Sequence, residues 1–287
     1  MKYAFIEEYR YEHRIDRMCR VLDVSRSGYY RWWRQAETKR ESEEKALLER
    51  IKTIYKRSRG TYGSPRLTAE LKAEGIECSK NRVARIMRKN GIIAKTKRKF
   101  RITTRSKHSR PVAENIVKQE FVADGANKLW TSDITYIWTK EGWLYLAIIL
   151  DVYSRGIVGW SLSVRLTTEL VLLAFNRALR RRQVAPGMIF HSDRGSQYAS
   201  EKIQEALQKL GIRQSMSGSG NCYDNAITES VFHTIKTELI YFNHYETRQE
   251  AASSIFEYIE VFYNRQRRHS SLNNNSPFDF EQQYFLS

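Results

Sequence analysis

The sequence predicts an α/β fold with a mixed sheet, preceded by small all-helical segments. Two observations support this prediction. After residue 126, segments rich in β-branched and aromatic residues alternate with amphipathic segments in the order β-β-β-α-β-α-β-α-α. Before residue 95, apolar residues recur at helical spacing. Apolar residues make up 41% of the 287 residues, which is typical of a globular protein.

Three predicted strands, 129–139, 143–152 and 156–164, follow one another with short turns between them. Such a series forms an antiparallel meander. Beyond it, amphipathic helices are predicted at 167–182, 200–210, 225–241 and 247–263, with short strands at 188–191 and 212–215. Together these elements predict one layered α/β domain.

Two helical segments precede this domain. Residues 13–36 indicate two short helices around a turn, in which Ser25 and Ser27 are available as caps. This layout suits a helix-turn-helix, and equally a helical hairpin with an aromatic core. In the second segment, 41–94, Ser79 is expected to cap a helix that ends at Gly91.

The helix before Gly91 has a basic face. Arg82, Arg85 and Lys89 repeat at i, i+3 and i+7, whereas the apolar residues of the helix lie on another side. A helix with one face in the core and a basic face outward suits entry into the major groove of DNA. A solvated basic face is the alternative.

The positive charge is concentrated in one segment. Residues 51–110 hold 19 Lys and Arg against 3 Asp and Glu, a net +16 of the whole chain's +17. Such a field predicts a nucleic-acid partner, the alternatives being a membrane surface or no partner. Residues 95–119 are interpreted as a basic linker that follows a phosphate backbone, with Lys97, Arg98, Lys99 and Arg101 as DNA contacts.

Other features exclude several classes of protein. The longest apolar run, 144–150, is too short to span a membrane. The N-terminus lacks the apolar core of a signal peptide, so we expect a cytoplasmic, nucleoid-associated protein without a membrane partner. The three cysteines are far apart, which argues against a zinc site or a disulfide framework.

Three acids are placed where a metal site could form. Asp133 lies within the first strand, Asp193 follows the fourth, and Glu229 lies in the first turn of a helix. Carboxylates in these positions could converge above a sheet edge, and hard cations such as Mg²⁺ prefer oxygen ligands. Two such ions would activate an attacking oxygen and stabilise a leaving one.

Other acids compete for this role. Asp151 also ends an apolar strand, and Asp224 precedes the helix of Glu229, where a capping role explains it. The run His191-Ser192-Asp193 does not indicate a hydrolase triad, because neighbours in a strand point to opposite faces.

The sequence motifs around these acids resemble those of a known family, the second-frame protein (OrfB) of insertion sequences of the IS3 family. The shared motifs extend over nearly the whole chain. They are Met18-Cys19-Arg20-Val21-Leu22, Tyr62-Gly63-x-x-Arg66-Leu67, Trp130-x-x-Asp133-Ile134-Thr135-Tyr136, Asp151-x-x-Ser154-Arg155, Gly159-Trp160, His191 to Tyr198, Asp224-Asn225-Ala226-x-x-Glu229-Ser230 and Tyr263-Asn264-x-x-Arg267-Arg268-His269. Thirty-five residues separate Asp193 from Glu229, as in the family.

The resemblance implies a fold and a division into domains. The catalytic core, 120–265, would be ribonuclease-H-like, as in the retroviral integrase superfamily. Residues 1–40 would form a helix-turn-helix, 41–94 a second DNA-binding helical domain, and 266–287 a C-terminal tail.

The resemblance also implies an activity, that of a DDE transposase. Asp133, Asp193 and Glu229 would bind two Mg²⁺ ions, with Mn²⁺ as a substitute. Cleavage at the element's end would free a 3′-OH that attacks a second phosphodiester, without a nucleophile on the protein. Lys236, two helical turns after Glu229, and Arg268 would contact DNA.

The family also implies partners: the terminal inverted repeats, target DNA, further copies of the chain, and an upstream-frame product (OrfA) or a fusion to it. Two alternatives remain open on the residues alone. One is a ribonuclease-H-like nuclease that does not join DNA, and the other is a DNA-binding regulator.

Overall fold

The computed structural model describes residues 1–34, 39–95, 112–218 and 222–286. Its N-terminal helices are α1 (Lys2–Glu8), α2 (Ile15–Val21) and α3 (Arg26–Trp33). They enclose a small core of Ile6, Met18, Cys19 and Tyr29. The predicted pair of helices and the cap at Ser25, whose Oγ accepts a hydrogen bond from Gly28 N at 2.8 Å, are confirmed. Helix α1 was not predicted.

Helices α4 (Lys39–Arg57), α5 (Ser64–Ala73) and α6 (Lys80–Lys89) form the second helical unit. Ser79 caps α6 through a hydrogen bond from Arg82 N at 3.2 Å, as predicted. Gly91 has a φ of +65°, the left-handed conformation that ends helices and favours glycine. The predicted apolar face of α6 is buried.

The remaining part of the chain is built on a five-stranded sheet. Its strands are β1 (Leu129–Thr139), β2 (Gly142–Asp151), β3 (Ile157–Ser163), β4 (Ile189–Ser192) and β5 (Arg213–Met216). They lie in the order β3-β2-β1-β4-β5. The first three pair antiparallel, and β4 and β5 add to β1 in parallel. The predicted meander, mixed sheet and element order are therefore confirmed.

Helices cover both faces of the sheet. Helices α7 (Thr168–Arg181) and α8 (Glu201–Lys209) pack on one face, over a core that includes Trp130 and Phe190. Helices α9 (Ala226–Glu238) and α10 (Arg248–Glu257) pack on the other, over Leu129 and Ile137. A Cβ on Gly159 would collide with the backbone of α7, so only glycine permits this close approach of helix and strand.

The C-terminal residues pack on the same domain. A π-helical turn, Tyr258–Tyr263, continues α10, and α11 (Pro277–Leu286) follows. The rings of Phe280 and Tyr284 lie 5.2 and 4.9 Å from that of Tyr153, and Glu281 pairs with Arg182. Contacts therefore cross the predicted boundary at residue 265. None of the helices in the described ranges has the length and apolar character needed to cross a bilayer.

The second helical unit is docked on the catalytic domain. Tyr62 is buried, and its hydroxyl donates to Gln266 O at 3.2 Å and accepts from Arg268 N at 2.7 Å. Arg66 lies 3.4 Å from Glu238 at the end of α9. Residues 58–70 and 238–268 therefore form one interface between the two parts.

Candidate active site

The sheet places Asp133 and Asp193 side by side. In the parallel pair of β1 and β4, Ser132 is opposite Ser192, and each acid is the next residue of its strand or of the loop that follows. Adjacent strands lie about 4.8 Å apart, so the two backbones are close at this point. Because β4 ends at Ser192, the edge of β1 is open among the described residues from Asp133 until Thr139, which forms a bridge to Tyr245.

A tight turn holds Asp193. Its Oδ1 accepts a hydrogen bond from Gly195 N at 2.9 Å. A Cβ on Gly195 would lie 2.9 Å from the same oxygen and 3.1 Å from Gln197 Oε1. A larger residue would therefore displace the carboxylate, which explains the glycine in this motif.

Helix α9 brings Glu229 and Lys236 to the same face of β1. Thr228 Oγ1 donates to Thr131 Oγ1 at 2.8 Å, and both side chains are fully buried. Thr131 and Asp133 are two residues apart in a strand, so their side chains point to the same face. The hydrogen bond thus fastens the first turn of α9, which carries Glu229, over the strand that carries Asp133.

The electrostatics show that these four groups are close. The pKa of Asp133 is raised well above its usual value, first by burial, then by the negative charge of Asp193 and less by that of Glu229. The positive charge of Lys236 acts in the opposite direction. Burial raises the pKa of Glu229 and lowers that of Lys236, which the charge of Asp133 partly restores.

Tyr198 supports the two aspartates from behind and was not predicted as part of the site. It is 1% exposed, and its hydroxyl shares a hydrogen bond of 2.9 Å with Ser132. Burial and the charges of Asp133 and Asp193 raise its pKa well above 10.0. Its presence in the motif Asp193–Tyr198 was the only sequence signal.

The structure brings Asp133 and Asp193 together but does not gather all three acids into one compact group. Over the described residues, no three His, Cys, Asp or Glu side chains form a ready metal-binding group. Glu229 is exposed, whereas Asp133 and Asp193 are half-buried. Glu229 is therefore the most accessible of the three carboxylates.

The competing acids have structural roles. Asp151 is fully buried and accepts hydrogen bonds from Asn127 N at 2.6 Å and Tyr153 N at 2.9 Å. It lies opposite Trp130, three positions along the strand from Asp133. Asp224 accepts from Gly218 N at 2.6 Å and Asn115 Nδ2 at 2.9 Å. The carboxylate of Asp224 thus joins two loops, and the capping role predicted from the sequence is not what these bonds show.

His191 is a structural link. It is fully buried, and its two ring nitrogens bond to Ser215 Oγ at 2.8 Å and to the carbonyl of Asp224 at 2.7 Å. It therefore ties β4 to β5 and to the turn before α9. Its contacts agree with the exclusion of a hydrolase triad.

The basic face of α6 lies against acids of α4. Arg85 and Lys89 pair with the two oxygens of Glu44 at 2.8 and 3.1 Å, and Arg82 lies 3.9 Å from Glu43. All three predicted DNA contacts share one side of α6, as expected, but their charge is partly neutralised within the protein. Their role in DNA binding stays a prediction.

Arg268 is engaged within the protein. Its guanidinium donates to Glu70 of α5 at 3.1 Å and to the carbonyl of Asn274 at 2.7 Å. The structure thus gives it a part in docking the helical unit, and its role as a DNA contact stays a prediction. Lys97, Arg98, Lys99 and Arg101 lie outside the described residues.

Comparisons with known proteins agree with this architecture. Two models described as integrase core domain match residues 123–222 and 229–285, and one described as HTH-like domain matches 41–100. The transposase InsF of insertion sequence IS3A from Escherichia coli K12 is 44% identical over 98% of both chains. An uncharacterized 31 kDa protein of insertion element IS600 from Shigella sonnei is 46% identical over 93% of this chain and 98% of its own.

Two of the solved structures that the chain matches come from viruses. The simian T-cell lymphotropic virus intasome matches with a TM-score of 0.47 and 15% identity, over 80% of this chain and 74% of that one. The magnesium complex of the HTLV-2 integrase catalytic core matches with a TM-score of 0.43 and 16% identity, over 56% and 99%.

The relatives share the full length of this chain, and the family models fall on the sheet with its C-terminal helices and on the basic helical unit. The protein is thus a DNA-binding transposase with a DDE-type polynucleotidyl transferase fold, and the chain belongs to the family of IS3 insertion-sequence transposases.

Proposed function

We propose that Asp133, Asp193 and Glu229 hold two divalent cations, Mg²⁺ with Mn²⁺ as a substitute, for cleavage and joining at the ends of an insertion sequence. The observation that supports this most is the placement of Asp133, within β1, beside Asp193, which directly follows the end of the parallel strand β4. Two half-buried acids at such a place repel one another unless a cation or a proton compensates them.

The donor set fits such ions. Carboxylate oxygens are the preferred ligands of Mg²⁺, and a site with open positions leaves room for water and phosphate oxygens. Glu229 would complete the set by a change of rotamer in the first turn of α9. When bound, the cations would supply Lewis-acid activation of the attacking oxygen and charge stabilisation of the leaving oxygen.

The protein's own groups would position the DNA. In the first step, water attacks the phosphorus at the element's end, and the bond to the 3′ oxygen breaks. In the second, the freed 3′-OH attacks a phosphodiester of target DNA, so one bond forms as another breaks. Lys236, beside Asp133, would hold a phosphate of the reacting strand by its charge. No protein side chain acts as a nucleophile.

DNA selection would be the task of the helical parts. Residues 1–40 and 41–94, with α6 as the reading helix, would bind the terminal inverted repeats, and the basic linker 95–119 would follow the phosphate backbone. Contacts of α11 favour a core that extends from about residue 120 to the end of the tail predicted at 266–287. Further copies of the chain and an upstream-frame product would complete the assembly at the nucleoid.

Joining of a DNA end with a free 3′-OH in Mg²⁺ tests the assignment. We expect Asp133→Asn, Asp193→Asn and Glu229→Gln each to abolish joining while binding the same DNA. Glu205→Gln, which changes an exposed acid on α8, serves as the matched control and should join like wild type. Joining by all three carboxylate variants at the control's rate would refute the assignment.

A further inference from the structure

Three aromatic side chains lie exposed near the turn of the β1–β2 hairpin. Tyr136, Trp138 and Trp143 are 39, 59 and 44% exposed, and we name them the aromatic platform. Rings of this size are normally buried in a folded domain. Their exposure on a paired stretch of strand therefore requires a reason other than packing.

The platform is ordered by the strands themselves. Trp138 lies directly opposite Trp143, and Tyr136 is the next residue on the same face. The rings of Tyr136 and Trp138 lie 5.1 and 4.8 Å from that of Trp143, both in edge-to-face geometry. The opposite face of the hairpin is buried in the core through Ile137 and Leu144.

The start of α10 holds this end of the hairpin in place. Arg248 N donates to Glu141 Oε2 at 2.8 Å, and Arg248 Nε donates to the carbonyl of Trp143 at 3.3 Å. Thr139 forms a bridge to Tyr245. The rings are thus presented by a supported backbone, so binding would cost little ordering of the protein.

The platform and the three acids meet at the open edge of β1, although Asp133 and Tyr136 point to opposite faces of the strand. Lys236 Nζ lies 5.5 Å from the ring centroid of Tyr136, and the charge of the same lysine acts on Asp133. Tyr136 is three residues beyond Asp133 in an extended strand, about 10 Å away at 3.3 Å per residue. The open edge of β1 runs between them.

We propose that the aromatic platform stacks unpaired nucleobases of the DNA next to the reacting phosphate, an inference that rests on the function proposed above. Every base has a π-face, and aromatic side chains beside a cationic group are the means by which proteins bind single strands irrespective of sequence. Lys236 would hold the phosphate while Tyr136, Trp138 and Trp143 hold the bases that follow it.

A second copy of the chain is the other conceivable occupant. The observations favour DNA, because the platform consists of rings without an aliphatic member and adjoins the lysine beside the acids. It also has Lys140, paired with Glu246, at its margin. Aromatic rings are also enriched in protein interfaces, so the oligomeric state is measured as part of the test.

The test measures binding in EDTA, where no metal-dependent reaction proceeds. The full chain is titrated with a duplex that has an unpaired overhang carrying a fluorescent adenine analogue, and with a blunt duplex. We expect Trp138→Ala and Trp143→Ala each to weaken overhang binding by about 5- to 100-fold and to reduce quenching of the analogue, with blunt binding unchanged. Trp138→Phe should restore binding. Phe256→Ala, at an exposed ring on α10, is the matched control.

The salt dependence separates stacking from charge. Loss of a stacking ring leaves the slope of log affinity against log salt unchanged, whereas loss of a phosphate contact lowers it. Overhang binding by the Trp138→Ala, Trp143→Ala double variant at wild-type strength would overturn the proposal. So would a wild-type dimer that the same variant converts to a monomer with unchanged overhang binding.

This experiment is independent of the carboxylate assignment. Asp133→Asn should quench the analogue like wild type in EDTA, whatever its effect on joining in Mg²⁺. Normal quenching with joining unaffected by the carboxylate variants would sink the metal-site proposal alone. Loss of joining in those variants, together with quenching unaffected by Trp138→Ala, would sink the stacking proposal alone.

Discussion

Replacing Glu238 by glutamine should strongly destabilise the protein, because it removes the charge that compensates a buried arginine. Arg267 Nη2 and Nε donate to the two oxygens of Glu238 at 2.7 and 2.9 Å, and Tyr258 adds a third bond at 2.7 Å. Both charged side chains are under 10% exposed, at 8% for Glu238 and 5% for Arg267. Burial opposes the charge of Arg267, but the bonds to Glu238 outweigh it and raise its pKa, so Arg267 stays charged.

The size of the effect follows from this burial. Breaking a buried pair by removing one partner costs about 3–5 kcal/mol, a large share of the roughly 5–15 kcal/mol that stabilises a folded domain. For a protein of this length, each kcal/mol lowers the Tm by about 2–4 °C. Glu238→Gln should therefore lower the Tm by roughly 6–20 °C in a thermal melt.

Matched variants show whether the buried charge is the cause. Glu246→Gln breaks the 2.7 Å pair with Lys140, in which both side chains are more than 60% exposed, and should leave the Tm nearly unchanged. The double variant Glu238→Gln, Arg267→Met should recover part of the loss, since it removes the unpaired charge. A single Glu238→Gln variant that melts with the Glu246→Gln control would refute the reasoning.

Three further predictions concern the site and its surroundings. Asp133→Asn should raise the Tm of the metal-free protein, because it removes the repulsion between Asp133 and Asp193. The variant should also show a smaller rise in Tm on addition of Mg²⁺ than wild type. An unchanged response of the Tm to Mg²⁺ would contradict the prediction. Glu44→Gln should strengthen DNA binding and steepen its salt dependence, because it releases Arg85 and Lys89 from their ion pairs. Binding is measured by a filter or anisotropy assay. Weaker binding by the variant would contradict the prediction and would argue that Glu44 orients the two basic side chains. His269 is buried near Arg267, and burial followed by that charge lowers its pKa from 6.5 to about 2. The unfolded chain therefore binds a proton that the folded chain does not, so the free energy of unfolding decreases as the pH falls below 6.5. In His269→Asn, this free energy should depend less on pH between 6.5 and the range where carboxylates titrate. An equal slope in both proteins would contradict the prediction.

The sequence was sufficient for features that depend on local pattern. The strands at 129–139 and 143–152 follow from β-branched and aromatic alternation, which the pleat of a sheet imposes directly. The caps at Ser25 and Ser79 follow from the unsatisfied N–H groups at any helix start. The nearness of Asp133 and Asp193 was expected from their places in the chain, one within the first strand and the other directly after the fourth.

Other features depend on packing between distant segments, which a single sequence does not encode in any local signal. The spacing of Arg85 and Lys89 identified a basic face of α6, but the presence of Glu44 opposite it depends on how α4 crosses α6. The sequence placed Trp138 and Trp143 in strands but did not predict that their side chains are exposed. This exposure depends on where α7 and α8 stop covering the sheet. The contact of Arg268 with Glu70 likewise depends on where α5 lies and has no local signal in the sequence.

Two adjacent arginines connect the second helical unit of this transposase to the helix that carries Glu229. Arg267 holds Glu238 at the end of α9, the helix that carries Glu229 and Lys236, while Arg268 holds Glu70 of α5. Because neighbouring residues cannot move far apart, these two pairs tie α5 of the second helical unit to the end of α9, the helix that carries Glu229 and Lys236.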